Sequence, residues 1–186
     1  MSERVCPWWL GYLLISPIRR LLQNPREMLA PYVREGMTVL EPGPGMGFFT
    51  LELARLVGPS GRVVAVELQP KMLARLKRRA AKAGLLDRIV ARAATSGSLG
   101  VADLAGKVDF ALVFAVVHEL PDAGSFFREV ATTLKPGACI LFAEPTGHVK
   151  PAKFEAELQA AVSASLKPIE HPSIRRSRAV LLKKES

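Results

Sequence analysis

The sequence predicts an α/β fold: a parallel β-sheet covered by helices on both faces, in three layers. Three observations carry this. Short apolar runs rich in β-branched residues recur along the chain. Segments with helical spacing separate them, which implies right-handed βαβ crossovers. The first run ends in a turn that holds three glycines. A length of 186 residues suits one domain. With 49% hydrophobic and 23% charged residues, the chain matches soluble globular proteins and not disordered ones.

Each element follows from local pattern. Met37–Glu41 is a short apolar run ending at a Gly/Pro turn, and reads as the first strand. Phe48–Val57 has helical spacing, with Phe49, Leu53 and Leu56 or Val57 on one side, until Pro59–Gly61 breaks it. Arg62–Glu67 is nearly all apolar, as a strand buried on both faces requires. Pro70 opens the next helix, with Met72, Leu76, Ala80 and Ala83 inward and Gly84 as its stop. Asp87–Ala94 is a weaker strand. Val108–Val117 reads as a central strand with the loop after it, and Ser125–Leu134 as a helix. Lys135–Gly137 is expected to turn before a strand at Ala138–Glu144. A helix at Ala152–Leu166 and strands at Ile169–Ile174 and Ala179–Lys183 complete the pattern.

Two cysteines, Cys6 and Cys139, supply neither a disulfide scaffold nor a cysteine-rich zinc site. No metal site is expected. No apolar run reaches the roughly 20 residues needed to cross a bilayer. Trp8–Ile15 is too short, and no small-residue cleavage site follows it, so the reading is a cytoplasmic protein without a signal peptide. Lys and Arg total 26 against 17 Asp and Glu, a net charge of +9 that favours an anionic partner. One basic cluster, Lys71 to Lys82, lies on an amphipathic helix and equally reads as its solvated face.

The segment Glu41-Pro42-Gly43-Pro44-Gly45-Met46-Gly47 lies between a strand and a helix. Ligands of open α/β sheets bind outside the carboxyl ends of the strands, and glycines let the backbone approach a ligand without a Cβ in the way. A dinucleotide loop would read G-x-G-x-x-G, but Phe48 stands where its third glycine belongs. Glu41 would repel a pyrophosphate and attract a cation. No G-K-[ST] follows, which excludes a P-loop. Glu67 ends the second strand twenty residues after Gly47, the spacing of an acid that accepts hydrogen bonds from ribose hydroxyls.

With these motifs, residues 36–184 resemble a class I S-adenosylmethionine-dependent methyltransferase of the small-molecule type. Glu41 and the three alternating glycines match its first motif, and Glu67 the acid of its second strand. Val108-Asp109-Phe110 matches its fourth strand, and Leu134-Lys135-Pro136-Gly137-Ala138 the turn before its fifth. The resemblance implies a Rossmann-like, seven-stranded, mostly parallel sheet in the order 3-2-1-4-5-7-6, with strand 7 antiparallel. It implies S-adenosylmethionine as cofactor and S-adenosylhomocysteine as product. Glu41, Gly43, Gly45, Gly47, Glu67, Leu68 and Phe114 are the implied cofactor contacts. Many relatives place an acid after the third strand to bind adenine. This chain has none there, so backbone near Ala93 and Ala94, with Leu68, takes that role.

The resemblance sets the segment after the fourth strand beside the transferring methyl group. His118 is the candidate general base there, with Glu119 available to orient it. Glu144, ending the fifth strand, is a substrate-pocket candidate, followed by Thr146 and His148. Phe114–His118 differs from the Asp/Asn-Pro-Pro-aromatic motif of exocyclic base methylation, and neither cysteine is placed for C5-cytosine chemistry. Residues 1–35 are expected to form cap helices or a lid on a catalytic domain at 36–186. Trp8, Trp9 and Tyr12 in that lid suit an apolar or aromatic small-molecule acceptor, though packing or a homodimer contact explains them equally. RNA or protein methylation by the basic surface is the alternative. A non-catalytic cofactor-binding domain is the third reading.

Overall fold

The computed structural model describes residues 23–95 and 97–185. Cys6, Trp8, Trp9 and Tyr12, with most of the expected lid, lie outside the described residues. Seven strands form one sheet in the order β3-β2-β1-β4-β5-β7-β6. They are β1 (Thr38–Pro42), β2 (Arg62–Glu67), β3 (Ile89–Ala93), β4 (Val108–Phe114), β5 (Leu134–Pro145), β6 (Leu166–Glu170) and β7 (Ser177–Lys184). β1, β2 and β3 pair in parallel, as do β4 and β5, whereas β7 runs antiparallel to both β5 and β6. This is the Rossmann-like α/β arrangement expected from the sequence. The chain divides between Gly97 and Ser98 into two compact units, each with its own core.

Among the described residues, the first unit holds β1 to β3 and the helices α1 (Pro25–Leu29), α2 (Thr50–Leu56) and α3 (Pro70–Lys82). Val39, Leu40, Val63, Val64, Ala65 and Val66 are all buried. A strand buried on both faces cannot alternate polar and apolar residues, which is why these runs read as continuous. α3 buries Met72, Leu76 and Ala80 as expected, together with Leu73. Ala83 falls instead at the helix end and is exposed, and Gly84 follows in the left-handed region at φ 65°.

The second unit holds β4 to β7, α4 (Ala123–Thr133) and α5 (Pro151–Val162). Asp122 caps α4, its carboxylate accepting the Ser125 N–H at 3.0 Å. Two expectations need correction here. Lys135–Gly137 is no turn before β5 but a bulge inside it. Val108 pairs with Leu134 and Phe110 with Cys139, so the single residue Asp109 faces four on β5. Asp109 accepts a hydrogen bond from the Lys135 ammonium across that bulge. The last helix stops at Val162, so β6 begins at Leu166 and ends at Glu170, earlier than the expected Ile169–Ile174. Ser165 at φ 62° makes the turn that ends the helical run.

Phe127 is fully enclosed between the rings of Phe126 and Phe142, with centroids 5.4 and 5.3 Å away. Phe142 in turn stacks on Phe154 of α5 at 5.1 Å. Phe127→Ala is therefore expected to lower stability by about 3–5 kcal/mol, read as a reduced midpoint in urea unfolding.

Candidate active site

β1 and β2 carry buried acids at their carboxyl ends, Glu41 next to last in β1 and Glu67 last in β2. Glu67 is 6% exposed. Its Oε2 accepts the Gly45 N–H and its Oε1 the Gln69 N–H, both at 2.9 Å. These donors offset part of the burial that raises its pKa. The bond to Gly45 fixes the turn against the end of β2. Arg79 of α3 reaches back to donate to the Met46 carbonyl. The turn is thus held at two successive residues, the Gly45 N–H by an acceptor and the Met46 carbonyl by a donor.

Gly43, Gly45 and Gly47 all have positive φ, at 66°, 56° and 82°. Side chains are strained there. At Gly47 a Cβ would also lie 3.1 Å from Leu76 Cγ, so α3 packs directly on the bare backbone.

Glu41 behaves differently from Glu67. It is 3% exposed, and its Oε2 makes no hydrogen bond. Burial pushes its pKa up to about 8, with the Glu67 charge adding; the nearby Thr50 hydroxyl acts the other way without making a well-formed bond. A buried carboxyl with a vacant acceptor, beside a second acid and a bare backbone, is a cradle for a cation.

Leu68 is 38% exposed and follows Glu67 directly. The N–H of Ala94 is already donated to the Glu67 carbonyl at 3.0 Å, so it has no proton to offer a ligand. Ala93 is exposed at the end of β3.

The second unit brings His118 and Glu144 together. β4 ends at Phe114, itself 8% exposed, and Ala115 follows with φ 57°. A short 3-10 turn, Val117–Glu119, then sets His118 against the end of β5. Glu144 is fully buried, and its Oε1 accepts the N–H groups of Val117 at 2.8 Å and His118 at 3.3 Å. Its Oε2 lies 2.6 Å from His118 Nδ1. With Oε1 occupied by backbone donors, Oε2 accepts the Nδ1–H, which leaves the lone pair on Nε2. The Glu144 hydrogen bond raises the His118 pKa; burial opposes it, and the charges of Glu144, Glu119 and Glu157 add to it.

Glu119, adjacent in sequence, is the expected orienting acid. The structure gives the hydrogen bond to Glu144, while Glu119 Oε1 stands 4.0 Å from Nε2. His148 is exposed, its ring parallel to that of His118 with centroids 6.4 Å apart. Thr146 donates to the Arg176 carbonyl. Among the described residues, no group of three or more His, Cys, Asp and Glu could hold a metal ion, and no helix is long and apolar enough to cross a membrane.

Strand order, glycine turn and paired acids define a class I S-adenosylmethionine-dependent methyltransferase. The methyltransferase domain family matches residues 33–177, and the chain belongs to it. Its curated relatives include a protein-L-isoaspartate O-methyltransferase of Triticum aestivum, 34% identical over 135 residues, 70% of this chain and 56% of that protein. A ubiquinone biosynthesis O-methyltransferase of Caulobacter vibrioides is 35% identical over 114 residues, 61% of this chain and 42% of that one. The chain thus spans about half the length of these relatives. A crystal structure of a SAM-dependent methyltransferase from Aquifex aeolicus shares the fold, with a TM-score of 0.85 at 23% identity, covering 96% of this chain and 99% of that chain.

The cofactor is S-adenosylmethionine, and the first unit fits it: the orphaned Glu41 oxygen and the bare glycine backbone suit a cationic ligand. Glu41 also predicts a pH dependence of the protein without cofactor. Its folded pKa, about 8, exceeds the ordinary 4.5, so its contribution is fully present below pH 4.5 and is lost as pH rises through 8. Glu157, pushed up to about 7, acts in the same direction. Urea unfolding from pH 5 to 9 is expected to show falling stability, with a shallower fall in Glu41→Gln.

Proposed function

We propose that this protein transfers a methyl group to a small acceptor, apolar or aromatic in character, whose reacting hydroxyl or acidic carbon must first lose a proton. The observation that carries this is the His118–Glu144 pair. A buried carboxylate fixes one imidazole nitrogen, and the other is left with a lone pair. An acceptor already bearing a reactive lone pair would need no such base, whereas a phenol or carbon acid does. The Caulobacter relative is an O-methyltransferase, and a ubiquinone/menaquinone biosynthesis C-methyltransferase of Hahella chejuensis is 30% identical over 120 residues. Oxygen and carbon methylation in quinone biosynthesis both suit an acceptor of this class. Trp8, Trp9 and Tyr12, outside the described residues, add aromatic composition of the same character.

S-adenosylmethionine, when bound, supplies an electrophilic methyl on a sulfonium sulfur. The chain's own residues position and select. Gly43, Gly45 and Gly47 admit the cofactor to the backbone. Glu67 accepts from ribose hydroxyls, and Glu41 faces the positive charge. Leu68, Ala93 and Ala94 lie against adenine, Ala94 without its N–H. Phe114 adds an apolar contact. His118 Nε2 takes the acceptor's proton, and Glu144 holds the ring and stabilises the imidazolium.

A second reading, methylation of RNA or protein, rests on the net charge of +9 and on exposed Lys71, Arg75, Lys77, Arg78 and Lys82 along α3. Binding to an RNA oligonucleotide that weakens steeply with salt would favour it.

The test is methyl transfer to a panel of phenols and β-dicarbonyl carbon acids. His118→Ala is expected to lower kcat by about 10²–10⁴-fold with little change in cofactor affinity. The wild-type kcat should rise with pH along a limb above the ordinary histidine value of 6.5. Unchanged turnover in the variant would discard the base. Separately, Glu67→Ala is expected to weaken S-adenosylmethionine binding by about 1–3 kcal/mol in calorimetry.

A further inference from the structure

α5 carries a buried acid that the chemistry above does not use. Glu157 is 4% exposed, and neither of its side-chain oxygens makes a hydrogen bond. Lys153, one turn earlier, places its Nζ 3.8 Å from Glu157 Oε1. That same Nζ donates to the carbonyl oxygen of His118 at 2.8 Å. The helix packs on the Val117–Glu119 turn. One ammonium therefore ties a buried, unbonded carboxyl to the backbone of the histidine assigned as base.

We propose that Glu157 is a positioning residue that sets the charge state of His118, giving up a proton when His118 takes one. The inference rests on the reading of His118 as base. An ionised carboxylate without hydrogen bonds is strongly disfavoured inside a protein unless positive charge stands near it. Lys153 supplies one such charge, and a protonated His118 supplies a second. Ionisation of Glu157 and protonation of His118 consequently favour each other, so the two groups titrate as a coupled pair.

The surrounding charges agree. Burial, then the Glu144 charge, pushes Glu157 up to about 7, while Lys153 and His118 act in the opposite direction. α4 and β6 also pack on α5; of their charged side chains Arg128, Lys167 and Glu170 are exposed, and Glu129 accepts from Ser98, Leu99 and Gly100. Around His118 stand Glu144 on Nδ1, Glu119 near Nε2, Glu157 from α5 and the parallel ring of His148. During turnover the acceptor's O–H or C–H bond breaks and its proton bonds to Nε2. Glu157 then releases its own proton to water. The net charge of the cluster stays constant while the imidazolium exists.

The experiment is an NMR titration of the His118 ring in the full chain, beside the pH dependence of kcat. Glu157→Gln removes the negative charge, so the His118 midpoint is expected to fall, and the kcat limb with it. Glu155→Gln, an exposed acid on the same helix, should move neither. An unmoved His118 midpoint in Glu157→Gln overturns the proposal. A midpoint that falls while kcat shows no matching limb supports the coupling and overturns the base assignment instead. If Glu157→Gln does not fold, the wild-type ring decides. Coupling requires a second inflection in its titration at the pH where the Glu157 carboxyl, followed by its carbon resonance, ionises; a single inflection overturns it.

Discussion

Three strands of this sheet carry a buried glutamate as their last or next-to-last residue, and the chemistry assigned to the protein depends on how each burial is resolved. Glu41, Glu67 and Glu144 close β1, β2 and β5 at 3%, 6% and 0% exposure. Removing a carboxylate from water is costly unless hydrogen bonds or opposite charge replace the solvent. Glu67 receives two backbone N–H groups and Glu144 two backbone N–H groups and an imidazole. Glu41 has a vacant oxygen and holds its proton to about pH 8. One structural position, the carboxyl end of a strand, thus yields three different sets of hydrogen-bond partners.

The difference follows from what the chain does next. After β1 the glycine turn leads away without presenting a donor to Glu41 Oε2. After β2 the backbone doubles back so that Gln69 donates to the same side chain that Gly45 reaches from the neighbouring turn. Glu144 draws its donors from residues 26 and 27 positions earlier. A short-range partner makes a local clamp, and a long-range partner locks two segments of the chain together.

Sequence pattern made most of this fold legible, because strands buried on both faces are continuous apolar runs that local composition reveals. β2 matches its expected range at both ends. The failures have physical causes. Lys135–Gly137 carries turn residues, yet they extend a strand by bulging against Asp109, a pairing that composition does not encode. At the site, Glu41, Glu67 and the glycines were readable from spacing. The His118–Glu144 contact was not, because the partners are 26 residues apart and adjacent Glu119 offered a simpler one. A clue did exist: a charged residue closing an apolar strand needs a partner, and the neighbours Thr146 and His148 are exposed and do not supply it. Ala94, offered as a backbone contact for adenine, shows the opposite limit, since pairing of its N–H with Glu67 appears only in three dimensions.

Ala115 shows why that contact holds. A non-glycine residue at φ 57° carries strain of about 1–3 kcal/mol, which the surroundings must sustain. Here its N–H still completes the β4–β5 ladder by donating to Ala143 at 2.8 Å. The kink therefore falls after the last ladder bond, and the chain turns only beyond it. That turn presents the N–H groups of Val117 and His118 to Glu144 Oε1, which would otherwise be buried without donors. Oε2 is then the acceptor left for the imidazole. The geometry that keeps Ala115 strained thus supplies the donors that offset the burial of Glu144, and the orientation of His118 follows from it.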